Sequence, residues 1–304
     1  MSQAFPQDDP DRFKALTTRP KIAWPTLLLM VASGTLFLAA SAAFLTGAIG
    51  VALMVGANTV AFYLAFTVAH DASHNAVSSI RPVNDGIGRL ATLFLFPLPV
   101  FRMFRFVHMQ HHRFTNDPDR DPDLYCGRGH PLTLPLRWAT LDLRYFVLYL
   151  RPDVFGSRPV GERREFLAAV LLGVALITLV ISQGWLVEYL LLFLLPSRLN
   201  VFLLALAFDF LPHYPHEKRA GDAPFEATSN RVGLERLLTP LLLSQNYHLV
   251  HHLYPTVPFY RYLRVWKARA AYHRAQRPAE VAAFSLTHRT SSACPAEAGR
   301  TQQL

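Results

Sequence analysis

Residues 22–45 read IAWPTLLLMVASGTLFLAASAAFL, and residues 51–69 read VALMVGANTVAFYLAFTVA, with only Thr46-Gly47-Ala48-Ile49-Gly50 between them. Neither stretch carries a charge, and each approaches or exceeds the roughly 20 apolar residues a helix needs to cross about 30 Å of hydrocarbon. Together they predict a membrane-spanning helical hairpin. A second hairpin follows from residues 166–182 (FLAAVLLGVALITLVIS) and from about 187–211. Pro196-Ser197-Arg198 interrupts that last span, so a kinked helix or two shorter segments is expected there. Residues 90–101 (LATLFLFPLPVF) are apolar but too short to span, and predict an interfacial or re-entrant segment.

The rest of the composition agrees. Of 304 residues, 51% are hydrophobic and 17% charged, which excludes a disordered chain and is unusual for a water-soluble enzyme. Two cysteines, Cys126 and Cys294, cannot build a disulfide scaffold, and no zinc-ribbon spacing is present. The net charge of +9 would suit nucleic acid or an anionic membrane surface. Its distribution decides. Four basic residues precede the first span, 13 lie in the 70–164 loop and 12 follow residue 211, while both short turns, 46–50 and 182–186, have none. The positive-inside rule then places both termini and the large loop in the cytoplasm of a multi-pass protein of a bacterial-type inner membrane. No nucleic-acid-binding pattern is present. The polar residues before a first span this long argue against a cleaved signal peptide.

Thirteen histidines are present, and eight fall in three clusters: His70 and His74; His108, His111 and His112; His248, His251 and His252. All three lie on the side assigned to the cytoplasm. On a helix, residues three and four apart share a face, so each cluster can present its imidazoles together. Eight rings exceed the four ligands of one zinc site and suit two metals with four or more ligands each; iron, copper and zinc all accept imidazole. His213 ends the fourth span and is a ninth candidate ligand, with Asp209 four residues earlier as a direct, water-bridged or orienting group. His216 is read as either a ligand or a surface residue. Asp71, beside His70, is expected to fix a histidine tautomer. The acidic run 116–123 is expected to support the second cluster and to pair with Arg113 or Arg120. His130, His273 and His288 are read as surface residues. No HExxH, Glu-x-x-His pair, GxGxxG after a strand pattern, or P-loop exists.

Four stretches, HDASHNA (70–76), VHMQHHRFTNDPDRDPD (107–123), FDFLPHYPH (208–216) and QNYHLVHHLYPTVPFYRY (245–262), resemble the membrane fatty-acid desaturase/hydroxylase superfamily, and within it the bacterial carotenoid ring hydroxylases. The resemblance covers about residues 60–265. It implies an all-α integral membrane protein of about four transmembrane helices, in two hairpins, with a cytoplasmic histidine-rich cap. It also implies a non-haem centre of two iron ions that uses O2 to remove hydrogen from a lipid C–H bond, best matched by carotenoid ring hydroxylation. Fatty-acyl desaturation is the alternative, and a non-catalytic metal-binding membrane protein is a third reading. The ligands implied are His70, His74, His108, His111, His112, His213, His248, His251 and His252. Where some family members have an Asn ligating through water, this chain has Asp209. Neither a cytochrome b5-like HPGG motif nor a ferredoxin cysteine set is present, so a separate donor such as ferredoxin with its reductase is implied. The expected organisation is an N-terminal cytoplasmic segment (1–21), a membrane domain (22–265) and a partly disordered polar tail (266–304).

Overall fold

The computed structural model describes residues 8–96, 98–286 and 288–289. The short helix α1 (Pro10–Thr17) is followed by α2 (Trp24–Leu45) and α3 (Val51–Ser73), which form the first hairpin. The turn between them uses Gly47 at φ +77, a left-handed conformation that glycine adopts without a Cβ clash. α3 extends four residues beyond the apolar stretch read from the sequence, carrying the helix through His70. It is also the central span: half of its apolar window is buried inside the protein, against 17% for α7 (Val160–Ser182). Ser33 on α2 donates to the Ala61 carbonyl of α3 at 2.7 Å, so a buried hydroxyl is satisfied within the hairpin.

The fourth span, α8 (Leu186–His213), is continuous, and its prolyl interruption is absorbed rather than avoided. Pro196 has no N–H to offer the Leu192 carbonyl one turn back. A π-helical stretch, Leu190–Leu194, precedes it, and the side-chain amide of Asn58 on α3 donates to that Leu192 carbonyl at 2.9 Å. Arg198 is neutralised by a bidentate pairing with Asp142 on α6 (Leu141–Tyr149). A second π-helical stretch, Ala205–Phe210, lies just before His213.

Between the hairpins, α4 (Arg81–Leu93) and α5 (Phe101–Phe114) flank an irregular apolar segment. Its Leu95 carbonyl accepts from Ser197 on α8 at 3.0 Å, which ties the segment to the second hairpin. α4 and α5 cross closely at Gly88, where a Cβ would lie 2.3 Å from the Phe101 ring. After α8 the chain forms a cap from β1 (Asn230–Val232), α9 (Glu235–Leu241), α10 (His248–Leu253), α11 (Tyr262–Ala268), α12 (Ala270–Ala275), β2 (Glu280–Ala282) and β3 (His288–Arg289). β1 pairs with β2 in parallel, Asn230 opposite Glu280, and β2 pairs with β3 antiparallel. The protein is thus mostly helical, with four spans long and apolar enough to cross a membrane.

Residues 266–282, read from the sequence as the start of a polar tail, contribute α12 and β2 to this cap. His273 corrects the surface reading: it is fully buried, stacked 4.5 Å from Trp266, with Nδ1 at 3.1 Å from the Trp266 carbonyl and Nε2 at 2.9 Å from the Tyr254 hydroxyl. Neighbours seven and nineteen residues away satisfy both ring nitrogens, which a local reading of an isolated histidine could not foresee. His130 is exposed, as expected. The side chain of His288, Cys294 and the remainder of the tail lie outside the described residues.

Candidate metal centre

α3 ends in His70 with His74 as its C-cap, α5 presents His108, His111 and His112, α8 ends in His213, and α10 presents His248, His251 and His252. These nine rings converge. Their ligand atoms form two groups of four, each within 4.8 Å of one another: His70, His74, His108 and His251, and His111, His213, His248 and His252. His112 lies between the groups, close to both His251 and His252. The clusters do not act as units. Helix α5 gives His108 to the first group and His111 to the second, and α10 gives His251 to the first and His248 and His252 to the second.

The contacts between rings are those of shared ligation. Nε2 of His70 is 3.0 Å from Nε2 of His251, His74 is 2.8 Å from His108, and His112 is 2.8 Å from His251 by the same atoms. In the second group, His213 is 3.0 Å and His252 is 3.1 Å from His248, and His111 is 3.3 Å from His252. Two nitrogens at about 2.0–2.1 Å from one metal ion, at ordinary coordination angles, are themselves about 2.9–3.4 Å apart.

Protonation supports the same reading. Nδ1 of His111 faces the Asp121 carboxylate at 2.8 Å, and Nδ1 of His248 faces Oε1 of Gln245 at 2.9 Å. Both acceptors take a proton on Nδ1, so in the neutral rings the Nε2 lone pairs point inward. A cation is what such a concentration of lone pairs fits. The Tyr262 hydroxyl, 2.9 Å from Nδ1 of His251, and Thr115, 3.5 Å from Nδ1 of His252, hold two further rings. Such partners fix ring orientation and tautomer. Asp121 comes from the acidic run, as expected in kind. The i,i+3 spacing of Gln245 and His248 is legible in the sequence, whereas Tyr262, eleven residues after His251, carries no local signal.

Asp71 does not perform the role expected of it. Its carboxylate accepts from Thr26 on α2 at 3.0 Å and from the Phe259 backbone N–H at 3.2 Å. It therefore pins the cap to the first hairpin, because its side chain points away from the ring it adjoins in sequence. Asp209 is not in either group of four. It hydrogen-bonds to Asp123, whose carboxyl is pushed up by burial despite the nearby His111 and also accepts from Tyr145 at 2.6 Å. His216 also stands outside both groups and lines a polar pocket of about 610 Å³ with Asp121, Asp123, Asp209 and His213. In the run itself, Asp117 pairs with Arg120 at 2.6 Å, while Arg113 lies over the Phe114 ring.

Electrostatics separates His111 from the rings around it. Burial, followed by neighbouring imidazoles, holds His74, His108 and His251 well below the ordinary imidazole range. His111 is equally buried, but Asp123 and Asp121 more than offset the burial and push it up to about 9. A narrow apolar pocket of about 50 Å³ reaches both groups, with Phe66, Leu95, Phe96, Phe104, Leu204 and Phe208 in its wall.

Comparison with known proteins agrees with this geometry. A beta-carotene ketolase from a Paracoccus species is 32% identical over 197 residues, 64% of this chain and 71% of that protein. A second Paracoccus beta-carotene ketolase is 30% identical over 203 residues, 66% of this chain and 73% of its own length. A chloroplastic omega-3 fatty acid desaturase from Glycine max is 25% identical over 260 residues, 76% of this chain and 56% of that protein. The fatty acid desaturase family matches residues 42–282, from the first hairpin through every histidine cluster to β2. A match of that extent, over rings that the fold gathers from four separate helices, places the chain in the fatty acid desaturase family and makes it an oxidoreductase of the desaturase/hydroxylase type that acts on lipids.

Proposed function

We propose that the protein oxygenates a ring carbon of a carotenoid at a di-iron centre. The observation that carries this reading is the convergence of two groups of four imidazoles on the end of an apolar pocket formed by the spans. The likeness to two beta-carotene ketolases at 30% identity or more directs it toward carotenoids. His70, His74, His108 and His251 would hold one iron, His111, His213, His248 and His252 the other, with His112 at either. Iron bound there supplies the O2-dependent removal of hydrogen from an aliphatic C–H bond, which no side chain can perform alone. The chain's own contribution is to hold the rings, to exclude water from the apolar pocket and to position the substrate carbon. Hydroxylation and ketone formation both begin with oxygen at one ring methylene, so the ketolase likeness broadens the hydroxylation expected from the sequence to ring oxygenation.

The orientation that follows from the charge distribution puts the centre and both termini in the cytoplasm. There a separate electron donor such as an acidic ferredoxin would meet a basic surface. Expression in a bacterial host that makes both β-carotene and ordinary membrane lipids tests the reading. A new oxygenated carotenoid is the expected product. A new double bond in the fatty acids, with carotenoids unchanged, would replace the proposal by acyl desaturation, and no O2 uptake by reduced iron-loaded membranes would replace it by metal binding alone.

A further inference from the structure

The narrow inner pocket and a separate, much larger apolar groove share a wall. The groove, about 480 Å³, lies between α3, α8 and the segment after α9, and its lining includes Val60, Tyr63, Leu203, Ala207, Leu211 and Leu241. Both helices are long and apolar enough to cross a membrane, so in a bilayer this groove would face hydrocarbon. The inner pocket, at about 50 Å³, is far narrower than the groove. No long lipid enters it without an opening in its wall.

That wall is a layer of aromatic rings. Tyr63 faces the groove, Phe66 faces the inner pocket, and Phe208 stands between them with ring centroids 5.4 Å from Tyr63 and 5.5 Å from Phe66. Ala207 lines the groove and Phe208 the inner pocket, so one step along α8 crosses the partition. The backbone here is irregular. Residues 205–210 are π-helical, a form found frequently at functional sites. The Tyr63 hydroxyl donates to the Leu241 carbonyl at 3.0 Å, and the rim continues into Leu243 and Ser244, both in the left-handed region at φ 46 and 66.

We infer that the groove between α3 and α8 is the lateral portal through which a long polyene chain passes from the bilayer to the metal centre, with Tyr63 and Phe208 as its gate. The ligand class rests on the carotenoid reading above; the portal also requires that the groove and the inner pocket open into one another at this wall. Turnover moves the gate, and the Tyr63 hydroxyl releases Leu241 when it does.

Two measurements on the full chain in membranes of a β-carotene-producing host test this. Ala207→Trp fills the groove without touching the histidines, and Leu171→Trp, at a side chain 70% exposed on α7, adds the same bulk elsewhere. Ala207→Trp is expected to lower kcat/KM for β-carotene by about tenfold or more with kcat unchanged, and Leu171→Trp to leave both unchanged. In parallel, a benzophenone amino acid placed at position 207 or 171 is photolysed in the same membranes. A β-carotene adduct at 207 and only phospholipid adducts at 171 is expected, and this readout does not require Ala207→Trp to fold. Wild-type kcat/KM in a folded Ala207→Trp variant, or phospholipid alone at both positions, overturns the portal. Absence of any oxygenated carotenoid from the wild-type protein overturns the functional reading instead, so the two failures are distinguishable.

Discussion

The two groups of imidazoles use the same ligand type and nearly the same spacing, yet their surroundings differ at one edge. The group of His70, His74, His108 and His251 is wholly buried, and the protonated forms of His74, His108 and His251 are disfavoured by burial and by one another. The group of His111, His213, His248 and His252 is partly open and faces Asp121, Asp123 and a polar pocket. The difference shows that ring identity alone does not set a site's properties: the carboxylates beside His111 favour its protonated form, and the polar pocket opens only one group toward water.

The largest expected effect comes from removing a ligand on either side of that comparison. His108→Ala strips the first group and His252→Ala the second. Each is expected to abolish turnover and to halve bound iron, measured by metal analysis of the membrane-extracted protein, with the protein still in the bilayer. Full iron content and activity in either variant would remove that ring from the ligand set. Because metal binding displaces protons from its ligands, the second prediction concerns pH. His111, raised to about 9, is protonated at pH 7 in the metal-free protein, so loading the second group releases a proton below pH 9, while His74, His108 and His251 are already neutral and release none. Affinity of the second group therefore rises with pH up to about 9 and that of the first does not. Calorimetry in buffers of different ionisation enthalpy reads this directly. Asp121→Asn keeps an acceptor on Nδ1 but removes charge, so it is expected to lower the His111 pKa and diminish the released proton.

A smaller effect is expected from Tyr262→Phe, which deletes only the hydroxyl that holds Nδ1 of His251. Metal affinity of the first group should fall by about tenfold to a hundredfold, with a changed iron spectroscopic signature and the second group unaffected. Equal loss from both groups would point to general destabilisation of α11. The smallest effect is expected away from both groups. Thr26→Val removes one of the hydrogen bonds to Asp71 and should cost about 1–2 kcal/mol of stability, seen as a lower denaturation midpoint in detergent, with metal affinity unchanged.

Several features were legible from local pattern. The four spans follow from apolar runs long enough to cross hydrocarbon, and the histidine clusters from spacing within one or two helical turns. Arg198 marked the fourth span as irregular, but its partner Asp142 is 56 residues away and the Leu192 carbonyl freed by Pro196 is satisfied by Asn58, 134 residues before it. No local reading could supply those partners, and without them the span is expected to kink or split. Asp71 and His273 failed for the same reason in opposite directions: adjacency in the chain suggested a partner for Asp71 that its side chain faces away from, and isolation in the chain hid the partners that bury His273.

The sequence by itself determined that four stretches are long and apolar enough to cross a membrane, and that enough imidazoles lie near their ends to hold metal. Both follow from periodicities of a few residues, since a helix fixes which neighbours share a face. Only the tertiary structure decided how those imidazoles are divided, which carboxylates tune them and which wall separates the inner pocket from the lipid. Rings from α3 and α10 meet across 181 residues, and chain contacts at that separation are set by how helices pack against one another.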